Sequence, residues 1–213
     1  MALIENTRQG RTGAVKGLKR GLILDAAKKV FERDGLEGAS LRAIAAEAGY
    51  TPAALYFHFD SKEAIYAELL QASLGRLAGA VLEAAANART PPEQVRAAAL
   101  AFFRFYSENP RDLDLGFYLF RGGMKPKGLG RERDKALNDA LAIALDPIRE
   151  GAEAAGASRK DAALLMVDMF AHAAGLLLLA HTGRIRMFGA SPSELMERYA
   201  GERIEKLKQA GAR

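Results

Sequence analysis

Ser40-Leu-Arg-Ala-Ile-Ala-Ala-Glu-Ala-Gly-Tyr-Thr-Pro-Ala-Ala-Leu-Tyr-Phe-His-Phe-Asp-Ser-Lys62 is the stretch whose reading decides the fold. Ser40 is suited to cap a first short helix whose apolar face is Leu41, Ile44, Ala45 and Ala48. Gly49 supplies the left-handed residue that ends it. Thr51 then caps a second helix with Pro52 at its first position. Two short helices joined by a glycine-containing turn form a helix-turn-helix. Ala45 agrees with this, because helices crossing so tightly leave room only for a small side chain. Small-plus-glycine spacing alone is shared by many helical hairpins.

Upstream, the chain is basic. Residues 1–20 hold Arg8, Arg11, Lys16, Lys19 and Arg20 against Glu5 alone, which is most of the net charge of +5. Residues 1–18 are expected to form a flexible basic arm, suited to phosphate contact or simply solvated. The first helix is expected from about Lys19 to Asp34, with Leu22, Ala26, Ala27, Val30 and Phe31 on one face and Gly35 as terminator. Cysteine is absent from the 213 residues, which excludes disulfides, thiolate nucleophiles and cysteine-based metal sites. No N-terminal stretch has the pattern of a signal peptide, so a cytoplasmic location is expected.

Downstream, the periodicity is helical throughout, and an all-α fold of about nine helices is expected. The fourth helix opens at Asp60 or Ser61, with Glu63 placed to close a capping box on Asp60, and runs to about Ala86. That length joins the N-terminal unit to a second one. Thr90-Pro-Pro-Glu93 starts a fifth helix and Asn109-Pro110 a sixth; Gly122–Gly130 reads as a loop. A seventh, about Arg131 to Ala155, contains Pro147 and is expected to kink or break near Asp146. Ser158 and Ser191 begin the eighth and ninth. From Ala162 to Ala180 only Asp168 and His172 interrupt an apolar run. A membrane span is disfavoured by those two ionisable groups, and burial on all sides, with a second subunit covering one face, is the simpler expectation.

The N-terminal run resembles the TetR family of bacterial transcription regulators. The resemblance rests on Ile23-Leu-Asp-Ala-Ala27, Phe31, Gly35, Leu41 to Gly49, and Ala54-Leu-Tyr-Phe-His-Phe59 followed by Ser61-Lys62-Glu63. It covers about residues 19–70. The resemblance implies a DNA-binding domain over residues 19–66, with its motif at about 40–59, and a helical ligand-binding and dimerisation domain over 67–213. It further implies a homodimer through the last two helices, a double-stranded DNA operator of palindromic form, and release of that operator by a small molecule. No cofactor is implied.

At the DNA surface, Thr51, Pro52, Ala53 and Ala54 occupy the start of the recognition helix, where bases are read. Their short side chains permit close approach and contact with thymine methyl groups but offer few polar contacts. Arg42 is the candidate for guanine readout, with a phosphate contact or plain surface charge as the alternative. The resemblance implies that Tyr56 and His58 donate to phosphates, although each can also be a packed core residue. Of the flanking aromatics, Phe57 is expected at the surface and Phe59 in the core. Lys62, in the first turn of the fourth helix, is expected to meet phosphate.

For the sensor, Phe102, Phe103, Phe105, Tyr106, Phe117, Tyr118 and Phe120 concentrate aromatics on the fifth and sixth helices, with Met166, Met169, Phe170 and His172 able to face them. This is either an apolar pocket, favouring a hydrophobic or aromatic effector, or a filled core. Asp168 and His172, four apart, can hydrogen-bond each other as a ligand anchor, an interface pair or a structural pair. His181 reads as a capping or surface group. Three scattered histidines show no metal-ligand spacing. The leading expectation is a ligand-responsive regulator, not an enzyme. The alternatives are a helical small-molecule-binding protein or an enzyme using Asp168 and His172 in an apolar cavity, and a helical module binding other proteins.

Overall fold

The computed structural model describes the backbone of residues 2–117 and 128–211, and the side chains of 17–117 and 128–209. Among them are nine α-helices: α1 (Ala2–Gly38), α2 (Leu41–Glu47), α3 (Pro52–Tyr56), α4 (Lys62–Ala86), α5 (Pro91–Glu108), α6 (Pro110–Gly116), α7 (Arg131–Ala154), α8 (Arg159–His181) and α9 (Pro192–Gly211). A 3-10 turn, Arg186–Phe188, precedes α9. The chain divides into one unit of Met1–Leu70 with Tyr118–Arg133, and another of Gln71–Phe117 with Asp134–Arg213. Helix α4 takes part in both.

In the first unit, α1 begins at Ala2 rather than near Lys19, so helical backbone includes the stretch expected as an arm. No proline occurs before Pro52, and glycines such as Gly17 and Gly21 weaken a helix without breaking it. Gly35 leaves helical geometry at φ 68°, ψ 176°, a conformation that glycine alone adopts freely. Ala26, Ala27, Val30 and Phe31 are buried as expected, but Ile23 takes the place of Leu22, which is half exposed. Ile23 with Ala26, Ala27 and Val30 gives the i, i+3, i+4, i+7 register of one helical face. Ile44, Ala45, Leu55, Phe59 and Ile65 complete the core, and Phe31 meets Tyr66 edge-on at 5.0 Å between ring centroids.

The hairpin closes through its caps. Ser40 Oγ accepts from the Ala43 N–H at 3.1 Å, and Thr51 Oγ1 from the Ala54 N–H at 3.2 Å. Gly49 at φ 72° lets the Tyr50 N–H return to the Ala45 carbonyl at 2.8 Å. At the start of α4 the capping oxygen belongs to Ser61, which accepts from the Ala64 N–H at 3.1 Å. The Asp60 carboxylate is thereby left to take the Ser61 hydroxyl and, at 3.2 Å, the Arg133 guanidinium.

In the second unit, α5 packs against α8, α9 and α6, and α8 packs against α9. Thr90 caps α5, and Glu93 reaches back to the Arg89 N–H at 3.0 Å. Helix α7 continues through Pro147 instead of breaking near Asp146. The proline deprives the Ile143 carbonyl of its partner, but Ile143 lies on the exposed face, where water can serve. Pro147's own carbonyl accepts from Gln94 Nε2 at 3.1 Å.

Helix α8 is apolar all round yet buried on only one side. Ala162, Met169, Ala173, Leu176 and Leu177 are covered, whereas Leu164, Val167, Leu178 and Leu179 are 58%, 53%, 46% and 41% exposed. By length and composition it is the single helix among the described residues able to cross a membrane. Its covered side packs against α5 and α9.

Candidate nucleic-acid interface

The reading surface follows from how the caps hold α2 and α3. Thr51, Pro52 and Ala53 are exposed, Ala54 is half-buried, and Arg42 stands free in the first turn of α2. Leu55 and Phe59 turn inward as the anchors of α3 and its exit. Their neighbours are therefore driven outward: Tyr56 is 59% and Phe57 86% exposed. A tyrosine and a phenylalanine in water beside a run of small residues form a largely apolar surface with the hydroxyls of Thr51 and Tyr56 and the guanidinium of Arg42.

Two expected contacts, and one of the basic residues of 1–20, look different in place. Lys62 Nζ donates to the carbonyls of Leu36, Glu37 and Ala39 at 2.8, 3.1 and 3.1 Å, so all three of its protons are engaged within the protein. His58 is half-buried, its Nδ1 has no hydrogen-bond partner among the described residues, and its carbonyl accepts from Arg20 at 2.8 Å. Arg20, one of the basic residues counted over 1–20, is a structural residue. Its Nε donates to Glu68 at 2.8 Å, a second nitrogen pairs with the same carboxylate, and its guanidinium lies 4.1 Å from the Phe59 ring centroid. These partners stand 48 and 38 positions from Arg20 along the chain, beyond the reach of local pattern.

The sensor residues are partly assembled. Phe102 is buried and meets Tyr106 at 5.2 Å and Phe170 at 5.7 Å, both edge-on; Tyr106 meets Phe105 at 5.3 Å. Burial, reinforced by the Asp112 charge, pushes the Tyr106 hydroxyl well above the ordinary phenol range. Phe103 and Met169 are buried, and Met166 and Phe117 half-buried. Tyr118 and Phe120 lie outside the described residues.

His172 joins a different group. Its ring stacks on Tyr199 of α9 at 3.6 Å with 7° between planes. The Asp168 carboxylate goes to Arg203 Nε at 2.9 Å rather than to His172. The pair expected within α8 is thus resolved into α8–α9 contacts, because the partners on α9 offer a full guanidinium and a flat ring. Burial lowers the His172 pKa, Arg203 and Arg198 lower it further, and Asp168 opposes them. With Asp168 neutralised by arginine, the general-base arrangement that an enzyme would need is not built. His181 Nε2 lies 3.7 Å from Asp114 at the surface. Among the described residues no cluster of three or more histidine, aspartate or glutamate side chains could hold a metal.

Fold and surface together define a helix-turn-helix protein with a second, all-helical unit. Residues 23–69 match the family model for bacterial regulatory proteins of the tetR family. The activator FasR of Mycolicibacterium smegmatis is 34% identical over 99 residues, 46% of this chain and 45% of that protein. The nicotine-responsive repressor HdnoR of Paenarthrobacter nicotinovorans is 38% identical over 81 residues, 38% of this chain and 40% of that protein. The chain thus spans about half the length of the curated relatives it matches. A solved protein of unknown function from Rhodococcus sp. RHA1 superposes with a TM-score of 0.70 at 25% identity, covering 89% of this chain and 95% of that one. The fatty acid degradation regulator FadR of Bacillus halodurans shares the fold at a TM-score of 0.64 and 18% identity, over 86% of this chain and 93% of its own. The likeness to the tetR family is thus one of the helix-turn-helix domain, residues 23–69.

Proposed function

We propose that the protein is a ligand-responsive transcriptional repressor of the cytoplasm. It binds a palindromic operator as a homodimer and leaves it when a small hydrophobic or aromatic effector binds. The observation that carries this reading is the exposure of Arg42, Tyr56 and Phe57 around a capped α3 whose other side is anchored by Leu55 and Phe59. A buried core gains nothing from leaving two large aromatics in water, whereas a major-groove surface uses them. Tyr56 donates to phosphate and Arg42 to guanine, with Thr51, Pro52, Ala53, Ala54 and Phe57 against bases and sugars. His58 supports the phosphate side through its Nε2, since Nδ1 is buried.

The homodimer is supported by the exposed apolar side of α8, which a second copy of α8 and α9 would cover. The effector class is supported by the concentration of apolar rings in the second unit, Phe102, Tyr106 and Phe170, beside one buried hydroxyl.

A salt titration of binding to duplex DNA tests the central claim. A steep linear fall of log affinity with log salt, about 0.9 per phosphate contacted, is expected. Binding that is absent, or indifferent to salt, would falsify it.

A further inference from the structure

The geometry assigns Lys62 to positioning the reading hairpin, not to gripping DNA. The inference rests on the reading of α2 and α3 as a DNA-binding surface. The last carbonyls of a helix have no partners within it and carry the negative end of its dipole. At the end of α1 the chain turns at Gly35, and the carbonyls of Leu36, Glu37 and Ala39 converge on one point. That point is the Lys62 ammonium, at 2.8, 3.1 and 3.1 Å. Three acceptors around one nitrogen match the three protons of an ammonium, and none remains to meet a phosphate oxygen.

The three carbonyls belong to two pieces of chain that must be held together. Leu36 and Glu37 end α1, while Ala39 immediately precedes Ser40, the residue that caps α2. Lys62 itself opens α4. One side chain therefore fixes where α2 starts relative to both α1 and the first turn of α4. The neighbouring tie runs the same way, from α1 through Arg20 to Glu68 of α4 and to the His58 carbonyl. Together they make the first two turns of α4 and the hairpin move as one piece.

Arginine separates the two roles. A guanidinium binds phosphate at least as well as an ammonium, but its planar fork cannot place three protons on carbonyls converging at one point. Lys62→Arg and Lys62→Met are compared with the wild type on a duplex enriched by the wild type from a random library, and on unselected random duplex. Positioning predicts that both variants bind the selected duplex about tenfold more weakly, that their preference for it over random duplex shrinks, and that the salt slope is unchanged. A phosphate contact predicts the opposite: Lys62→Arg behaves as wild type, and Lys62→Met loses about 0.9 in slope equally on every sequence. That result, or two variants indistinguishable from wild type, overturns the assignment. Absence of any salt-dependent duplex binding by the wild type would instead refute the DNA-binding reading.

A second measurement needs neither DNA nor a variant. Lysines of the free wild-type protein are acetylated briefly with acetic anhydride and mapped by mass spectrometry. Lys62 is expected to be protected while Lys29, whose side chain is 69% exposed, reacts. A Lys62 as reactive as Lys29 removes the carbonyl cage and with it the proposal.

Discussion

Phe57 carries no donor, so its exposure cannot be explained by a phosphate hydrogen bond. Against DNA the ring would meet deoxyribose or an apolar base edge such as the C5-methyl of thymine, and these are separable. Replacing thymine by uracil one position at a time deletes a methyl and nothing else. At one position in each half-site the wild type is expected to lose about 0.8 kcal/mol, roughly fourfold in affinity. Phe57→Ala should be weaker overall and indifferent to that change; equal sensitivity in both proteins would exclude methyl reading by this ring. Arg42 makes a different prediction, since a bidentate contact to guanine is worth about 1–3 kcal/mol of discrimination. Arg42→Ala should therefore flatten preference at one base pair, and a uniform loss over all sequences would place it on phosphate instead. His172 titrates against the fold. Its folded pKa lies below the ordinary 6.5 because burial disfavours the cation, so the unfolded chain binds its proton first. Stability should then fall as pH drops from about 7.5 through the ordinary value to the lower folded one. His172→Phe keeps a ring against Tyr199 and removes the titration. Urea unfolding at a series of pH values should show a shallower acid loss for the variant.

Helix caps and turns are decided within four or five residues, which is why they were legible in the sequence. Ser40, Thr51, Thr90 and Ser158 all cap the helices expected of them, and Gly49 has the left-handed backbone that its place demanded. The misplaced features depend on partners far along the chain. Leu22 and Ile23 are adjacent apolar residues, and Ile23 is the one buried. The roles of Lys62, Arg20 and Asp168 turned on acceptors and cations 23 to 48 positions away, and no local rule names those. Glycines show the same division. Gly151 was silent in the sequence, yet a Cβ there would stand 3.0 Å from Val95 Cγ2 and 3.1 Å from the Pro91 carbonyl, where α7 meets the start of α5. Gly75 of α4 has nothing within 4 Å of that position. Gly75→Ala should accordingly stabilise by about 0.5–1 kcal/mol, the helix-propensity gain. At Gly151 the same gain is outweighed by overpacking of about 1–3 kcal/mol against a backbone carbonyl that cannot swing aside. Thermal unfolding should rank Gly75→Ala above wild type and Gly151→Ala below it; a raised midpoint for Gly151→Ala would mean that the α5–α7 contact yields.

Across the whole molecule, the exposed side of α8 decides whether one chain can act alone. Leu164, Val167, Ala171, Gly175 and Leu178 recur at intervals of three and four, so they line one face, and all are exposed. Small Ala171 and Gly175 at its middle would let a second helix approach closely, with the larger side chains closing over both ends. Covering Leu164, Val167 and Leu178 on each chain would contribute about 1.5–3 kcal/mol per side chain before the cost of association. Leu164→Arg with Val167→Asp adds charge to this face without touching any buried residue of the single chain. Helical content by circular dichroism should be unchanged. Sedimentation equilibrium should shift from dimer to monomer. Operator affinity should collapse further than either event alone suggests, because two half-sites engaged by one dimer bind with an effective concentration that separate monomers lack. Affinity for a single half-site, which needs only one hairpin, should be nearly unaffected. A double variant that remains dimeric would move the interface off this face of α8, and one that is monomeric yet holds the full palindrome as tightly as wild type would show that pairing of the heads does not depend on it.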